Sequence, residues 1–154
     1  VYLAPEVLDS GVELRVPLAK LEVDNAEKRA RAGAEFADEI DAAAIAGTRE
    51  NMLGDAQLDA ARWPEMVLIS RGLSGSAAEL QLQMELALKN IVSPVTVPVR
   101  LRRDGNDRLI AEGEFSVLQS ELGLQPFSAL LGALKVRDQL DIRFRLVATV
   151  PSSG

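Results

Sequence analysis

Apolar and polar residues alternate with period two over most of this chain. Gly11 to Leu18 puts Val12, Leu14, Val16 and Leu18 on one face and Glu13 and Arg15 on the other. Glu79 to Asn90 sets Leu80, Leu82, Met84, Leu86 and Leu88 against Gln81, Gln83, Glu85 and Lys89. Pro94 to Arg103 sets Val95, Val97, Val99 and Leu101 against Thr96, Pro98, Arg100 and Arg102. Arg108 to Val117 sets Leu109, Ala111, Gly113, Phe115 and Val117 against Glu112, Glu114 and Ser116. Gln139 to Val150 sets Leu140, Ile142, Phe144, Leu146, Ala148 and Val150 against Asp141, Arg143, Arg145 and Thr149. Each segment predicts a strand with one wet and one buried face, the pattern of an antiparallel sheet. Met66 to Arg71 is a shorter candidate.

About seven such strands must either stack as two sheets or close into a barrel. Closure removes exposed edges, and at about eight strands it leaves room for one ligand. The expected fold is all-β dominated, an antiparallel lipocalin-like barrel with one to three short helices. Asp104-Gly105-Asn106 has hairpin chemistry. A three-residue loop there pairs Val99 with Ala111 and Val97 with Gly113, all on the apolar face. Gly113 in mid-strand suits a bend.

Two segments break the alternation. Asp24 to Leu53 is rich in Ala, Glu and Arg, with Phe36, Ile40, Ala44 and Ile45 at helical spacing. It predicts one or two short helices ending near Gly54. Pro126 to Leu134 carries Phe127, Leu130, Leu131 and Leu134 and predicts a short helix capping one barrel end. Residues 1–150 read as a single domain and 151–154 as a tail. Val1-Tyr2-Leu3-Ala4 reads as strand from the first residue, so a preceding N-terminal piece is expected.

Composition narrows the function. The chain has 154 residues, a net charge of −6, and neither Cys nor His. Nucleic-acid binding normally needs a basic footprint, so no such partner is expected. Without Cys or His there is no disulfide, no thiolate nucleophile, no imidazole base and no soft metal site. No apolar run approaches a membrane span. Ser74, Ser76, Ser120 and Ser128 lack any histidine partner. The carboxylates lie on polar faces, where no desolvated general acid is in view. Enzymatic chemistry, a cofactor and a metal are therefore not expected.

Two regions carry candidate chemistry. The stripe Leu80, Leu82, Met84, Leu86, Phe115, Ile142, Phe144 and Leu146 is either a cavity wall or a filled core. Phe127, Leu130, Leu131 and Trp63 are candidates for a lid or mouth, although Trp63-Pro64 reads more readily as a packing anchor at a turn. Arg100, Arg102, Arg103, Arg143 and Arg145 form basic clusters on outward faces. They read more readily as solvated positions balanced by Glu112, Glu114 and Asp141 than as a phosphate site.

Three stretches resemble the YceI-like family of polyisoprenoid- and lipid-binding domains. The first is Asn51 to Met66, with Asp59 and Trp63-Pro64 before an apolar strand. The second is Leu86 to Val99, including Ile91-Val92-Ser93-Pro94-Val95-Thr96. The third holds Gly113-Glu114-Phe115, Ser120-Glu121-Leu122-Gly123 and Leu134-Lys135-Val136-Arg137-Asp138. The likeness runs over residues 11 to 148. It implies an eight-stranded lipocalin-like barrel holding a long isoprenoid, quinone or fatty-acid-like lipid, in a periplasmic or secreted bacterial protein. The family's opening strand is not recognisable here, so one wall is expected to be missing, and an open edge would allow pairing into a homodimer. The alternative function is a structural or protein-interaction domain with a filled core.

Overall fold

The computed structural model describes residues 11–36, 38–76, 79–105, 108–129 and 134–149. The chain divides into two compact units, Val1–Arg15 with Val67–Gly154, and Val16–Met66. The first unit carries most of a six-stranded sheet and an added two-stranded ladder; the second carries the helices.

The sheet runs in the order β1 (Glu13–Pro17), β2 (Glu65–Ser76), β3 (Glu79–Leu88), β4 (Ile91–Asp104), β5 (Arg108–Leu118) and β8 (Gln139–Thr149). The β2–β3, β3–β4, β4–β5 and β5–β8 ladders are all antiparallel. The sheet is curled as half of a barrel wall. Three local features bend it. In β2 the register shifts between Ser70 and Gly72, so Ser70 and Leu73 both fall on the apolar face despite their odd spacing. Such a bulge sharpens strand twist. It also lets β2 run to Ser76, beyond the Met66–Arg71 that alternation suggests.

The second feature is β4 itself. Ile91 to Val99 pair with β3, whereas Arg100 to Asp104 pair with β5. One strand handing its partners from one neighbour to the next is the stagger that tilted barrel strands require. The third is Gly113. A Cβ there would collide with the Pro98 carbonyl oxygen and lie 2.7 Å from the Phe144 ring, so only glycine admits both.

The β4–β5 hairpin departs from expectation by two residues. Leu101, not Val99, faces Ala111, and Asp104 faces Arg108 across the turn. An even shift keeps every side chain on its face. Charge explains the choice. The expected register would set Arg102 opposite Arg108, and like charges directly opposed are destabilising. The observed register instead gives an Arg108–Asp104 ion pair at 3.3 Å.

The described ends of Pro126 to Leu134 are extended and not helical. They form a ladder, β6 (Ser128–Ala129) against β7 (Leu134–Lys135), extended by Val136 N–H donating to Phe127 O at 2.9 Å. At these ends, backbone groups pair across the ladder. Leu130, Leu131, Val150 and the strand expected at residues 1–4 lie outside the described residues.

In the smaller unit, α1 (Ala26–Ala32) starts at Asn25, whose side chain accepts from Lys28 N–H at 3.1 Å. The second helix, α2 (Ala42–Leu53), starts at Asp41, which accepts from the Ala43 and Ala44 N–H groups. These are ordinary N-caps. Gly54 closes α2, as expected, donating to Glu50 O at 2.9 Å. Arg49 reaches from α2 to the Ala19 carbonyl at 2.6 Å, and Leu18, 1% exposed, is the unit's most deeply buried side chain among the described residues.

Candidate functional site: the apolar face of the curled sheet

The ladders define which side chains share the inner face. From β3 come Leu80, Leu82, Met84, Leu86 and Leu88, matched by Val99, Val97, Val95, Ser93 and Ile91 of β4. From β5 come Leu109, Ala111, Gly113, Phe115 and Val117, matched by Ala148, Leu146, Phe144, Ile142 and Leu140 of β8. Among the predicted wall residues, the structure brings Leu80, Leu82, Met84 and Leu86 onto one strand, and Phe115, Ile142, Phe144 and Leu146 onto the same face of the sheet on two others.

Burial is uneven across this face. Leu80 (2%), Met84 (6%) and Leu86 (1%) are closed off from water. Leu82, Phe115, Ile142, Phe144 and Leu146 are only half-buried, and so are Leu109, Ala111, Leu140 and Ala148. The Phe115 and Phe144 rings meet edge to face at 6.4 Å between centroids. That geometry contributes about 1 kcal/mol beyond the area buried.

One end of the face is plugged. After β5 the chain turns through a short 3-10 helix, Ser120–Leu122, and buries Leu122 and Leu124 beside Val117. Gly123 adopts φ 70°, and a Cβ there would strike the Ile91 side chain. Ser93 Oγ donates to Glu121 O at 3.0 Å. Asp138, just before β8, accepts from Ser120 N–H at 2.9 Å and from Ser120 Oγ at 2.6 Å. These two hydrogen bonds hold the Asp138 carboxyl below its ordinary pKa. Buried Gln119 donates to Arg137 O at 2.7 Å, so its amide is not orphaned. This turn takes the capping role expected of Pro126 to Leu134. Phe127 is 46% exposed.

Trp63 lies in the helical unit. Its N–H donates to Asp59 O at 2.8 Å, and the Arg62 guanidinium sits 5.5 Å from its ring centroid. These contacts are those of a turn anchor.

A match to the YceI-like domain model spans residues 6–148. The chain belongs to the YceI-like family. Solved structures similar to this YceI-like chain include BcnA of Burkholderia cenocepacia, with a TM-score of 0.72 at 17% identity over 97% of this chain and 80% of that one. The YceI protein of Campylobacter jejuni matches with a TM-score of 0.64 at 8% identity, covering 91% and 72%. At such identities the likeness establishes the fold, a YceI-like barrel. No curated protein matches this chain.

The outer face of this YceI-like sheet is a charge ladder. Arg145 pairs with Glu112 at 2.9 Å, Arg102 reaches the same carboxylate at 3.9 Å, and Arg143 pairs with Glu114 at 3.4 Å. Asp141 accepts from Ser116 Oγ at 2.6 Å and Gln139 Nε2 at 2.7 Å, which lowers its pKa. All these groups are exposed, so each pair stabilises by under about 1 kcal/mol. Arg102, Arg143 and Arg145 are thus balanced solvated positions, as sequence suggested. Fully buried Ile110, flanked in the ladder by Arg102 and Val147, is the exception on this face.

Arg103 breaks the expected grouping. It pairs with Leu109, two residues beyond Leu101 and four beyond Val99, so it stands on the apolar face, not with Arg100 and Arg102. The signal was available: Arg102 and Arg103 are adjacent, and adjacent strand residues point to opposite faces.

Among the described residues, no cluster of three metal-ligating side chains forms, and no helix is long and apolar enough to cross a membrane.

Proposed function

We propose that this chain binds a long apolar molecule, of isoprenoid, quinone or fatty-acid type, along the inner face of the sheet, and carries out no chemistry on it. The observation that supports this is the half-exposed apolar surface shared by β5 and β8. A surface of that composition left partly in contact with water gains free energy from any apolar cover. Covering on the order of 300 Å² would contribute about 7 kcal/mol before association costs. The plug at Ser120 to Leu124 gives such a guest a blind end, and the aliphatic lining suits a flexible chain. The proposed setting is periplasmic or secreted, to be checked by fractionating cells that make the full-length product.

The test is mass spectrometry of freshly purified, denatured protein, paired with titration of a lipid probe that fluoresces only out of water. Co-purified lipid or saturable probe binding is expected. A second reading, a structural or interaction domain with a filled core, draws on the complete burial of Leu80, Met84 and Leu86. A lipid-free spectrum with no probe binding selects it.

A further inference from the structure

The inner face of β2, β3, β4, β5 and β8 is almost free of charge. By register it presents Leu68, Ser70 and Leu73 from β2, the leucine and methionine stripe of β3, the valines and Leu101 of β4, and the apolar residues of β5 and β8. Among the described residues of that face, Arg103 is the one ionisable side chain. Its strand neighbours there are Leu101 and Leu109, with Ala148 beyond Leu109 on β8.

Its position along the strands is as telling as its face. Arg103 lies at the end opposite the plug. Val117 and Ile91 stand at the closed end with Leu122 and Leu124, while Leu109 and Ala148 stand at the other. From Leu109 to Val117 the face extends about 26 Å at roughly 3.3 Å per residue. Arg103 is exposed, and the nearby acid Asp104 is committed to Arg108. The other arginines of β4, β5 and β8 stand on the outward face, three of them among the carboxylates of that ladder.

We propose that Arg103 anchors the head group of the bound molecule, and that this molecule is a long-chain carboxylic acid held as its carboxylate. The proposal rests on the carrier reading above and deepens it. The planar guanidinium fork matches a carboxylate in two parallel hydrogen bonds. One guanidinium cation balances one negative charge. A phosphate monoester carries about −1.5 to −2 near neutral pH and would call for more than a single arginine. The apolar tail then runs from Arg103 toward the plugged end, over Leu101, Ala111, Leu146 and the Phe115–Phe144 pair.

The experiment is fluorescence titration of the purified chain with cis-parinaric acid and with its methyl ester, near neutral pH, for wild type, Arg103→Gln and Arg103→Lys. The wild type should bind the acid about tenfold more tightly than the ester. Arg103→Gln should bind the two alike, with ester affinity unchanged, and Arg103→Lys should keep part of the preference. Circular dichroism confirms that each variant is folded, which an exposed site should permit. An Arg103→Gln protein that still prefers the acid overturns the anchor while leaving the carrier reading intact. A wild type that binds neither probe overturns the carrier reading, and the anchor falls with it. Displacement of bound probe by hexadecyl phosphate at concentrations tenfold below those needed for hexadecanoate overturns the choice of a carboxylate.

Discussion

The two halves of the sheet use the same alternation and reach different ends. In β3 and the part of β4 paired with it, most inward leucines and valines are sealed: Leu80, Leu86, Leu88, Val97 and Val99 are buried, while Leu82 and Val95 are half-buried. In β5 and β8, apolar residues at equivalent inward positions from Leu109 to Phe115 and from Leu140 to Ala148 keep half-exposed surfaces, and only Val117 at the plugged end is buried. Hydrophobicity does not separate the halves, since both are apolar. What differs is coverage. The half sealed from water lies between β2 and the β4 stagger, and the open half lies beyond it on β5 and β8. A face that sequence marks as buried is therefore core in one place and a wall in another.

This contrast can be broken by mutation, and the largest effect should come from the sealed half. Leu86→Ala should lower unfolding stability by about 3 kcal/mol, the usual cost of a cavity at a closed site. Urea denaturation with an unchanged m-value is the measurement. A loss below about 1 kcal/mol would mean that this half is loosely filled.

Gly113→Ala tests the stagger that separates the halves. The added methyl meets the Pro98 carbonyl and the Phe144 ring, and backbone on one side cannot yield. A loss of about 2 kcal/mol is expected by thermal or chemical melt. An unaffected melt would show that β4 and β5 do not approach as closely as the fold requires.

Leu146→Ala, in the open half, should cost only about 1 kcal/mol, because little of its surface is enclosed. Its effect on lipid-probe affinity should be about fivefold, the equivalent of roughly 1 kcal/mol. Leu86→Ala should change probe affinity less while costing more stability. If the two variants behave alike in both measurements, the distinction between core and wall is lost.

The smallest effect sharpens the closed end. Asp138 has a depressed native pKa because Ser120 donates to it twice. Its contribution is fully present above the unfolded value of about 3.9 and is lost as pH falls through the lower native value. Asp138→Asn should abolish that acid-limb contribution and leave the shape of the profile above pH 5 unchanged. Melting curves from pH 2 to 7 report it.

Much was legible before any coordinates. Leu80 to Leu88 and Leu140 to Ala148 alternate so regularly that strand, face and antiparallel pairing follow from side-chain geometry alone. One or two helices between Asp24 and Gly54 follow from the loss of alternation and the helical spacing of Phe36, Ile40, Ala44 and Ile45; their caps at Asn25 and Asp41 are seen only in the structure. The ends of the Pro126 to Leu134 segment form strands where a helix is expected, because an apolar run this short does not let periodicity distinguish the two. The face of Arg103 was readable and overlooked, since a run of arginines invites reading as one patch.

Sequence by itself determined the long strands β3, β4, β5 and β8 and which side of each is apolar, because period two is a property of the backbone. It also determined the poverty of catalytic groups, since a chain without His or Cys has few means to move protons or hold soft metals. Tertiary structure alone decided the hairpin register, the bulge in β2 and the point where β4 changes partners. Those depend on charges and atoms meeting across strands, as when Asp104 meets Arg108 and Gly113 makes room for Phe144. They in turn decide which apolar residues are enclosed and which remain open, a matter of distant neighbours that no local pattern encodes.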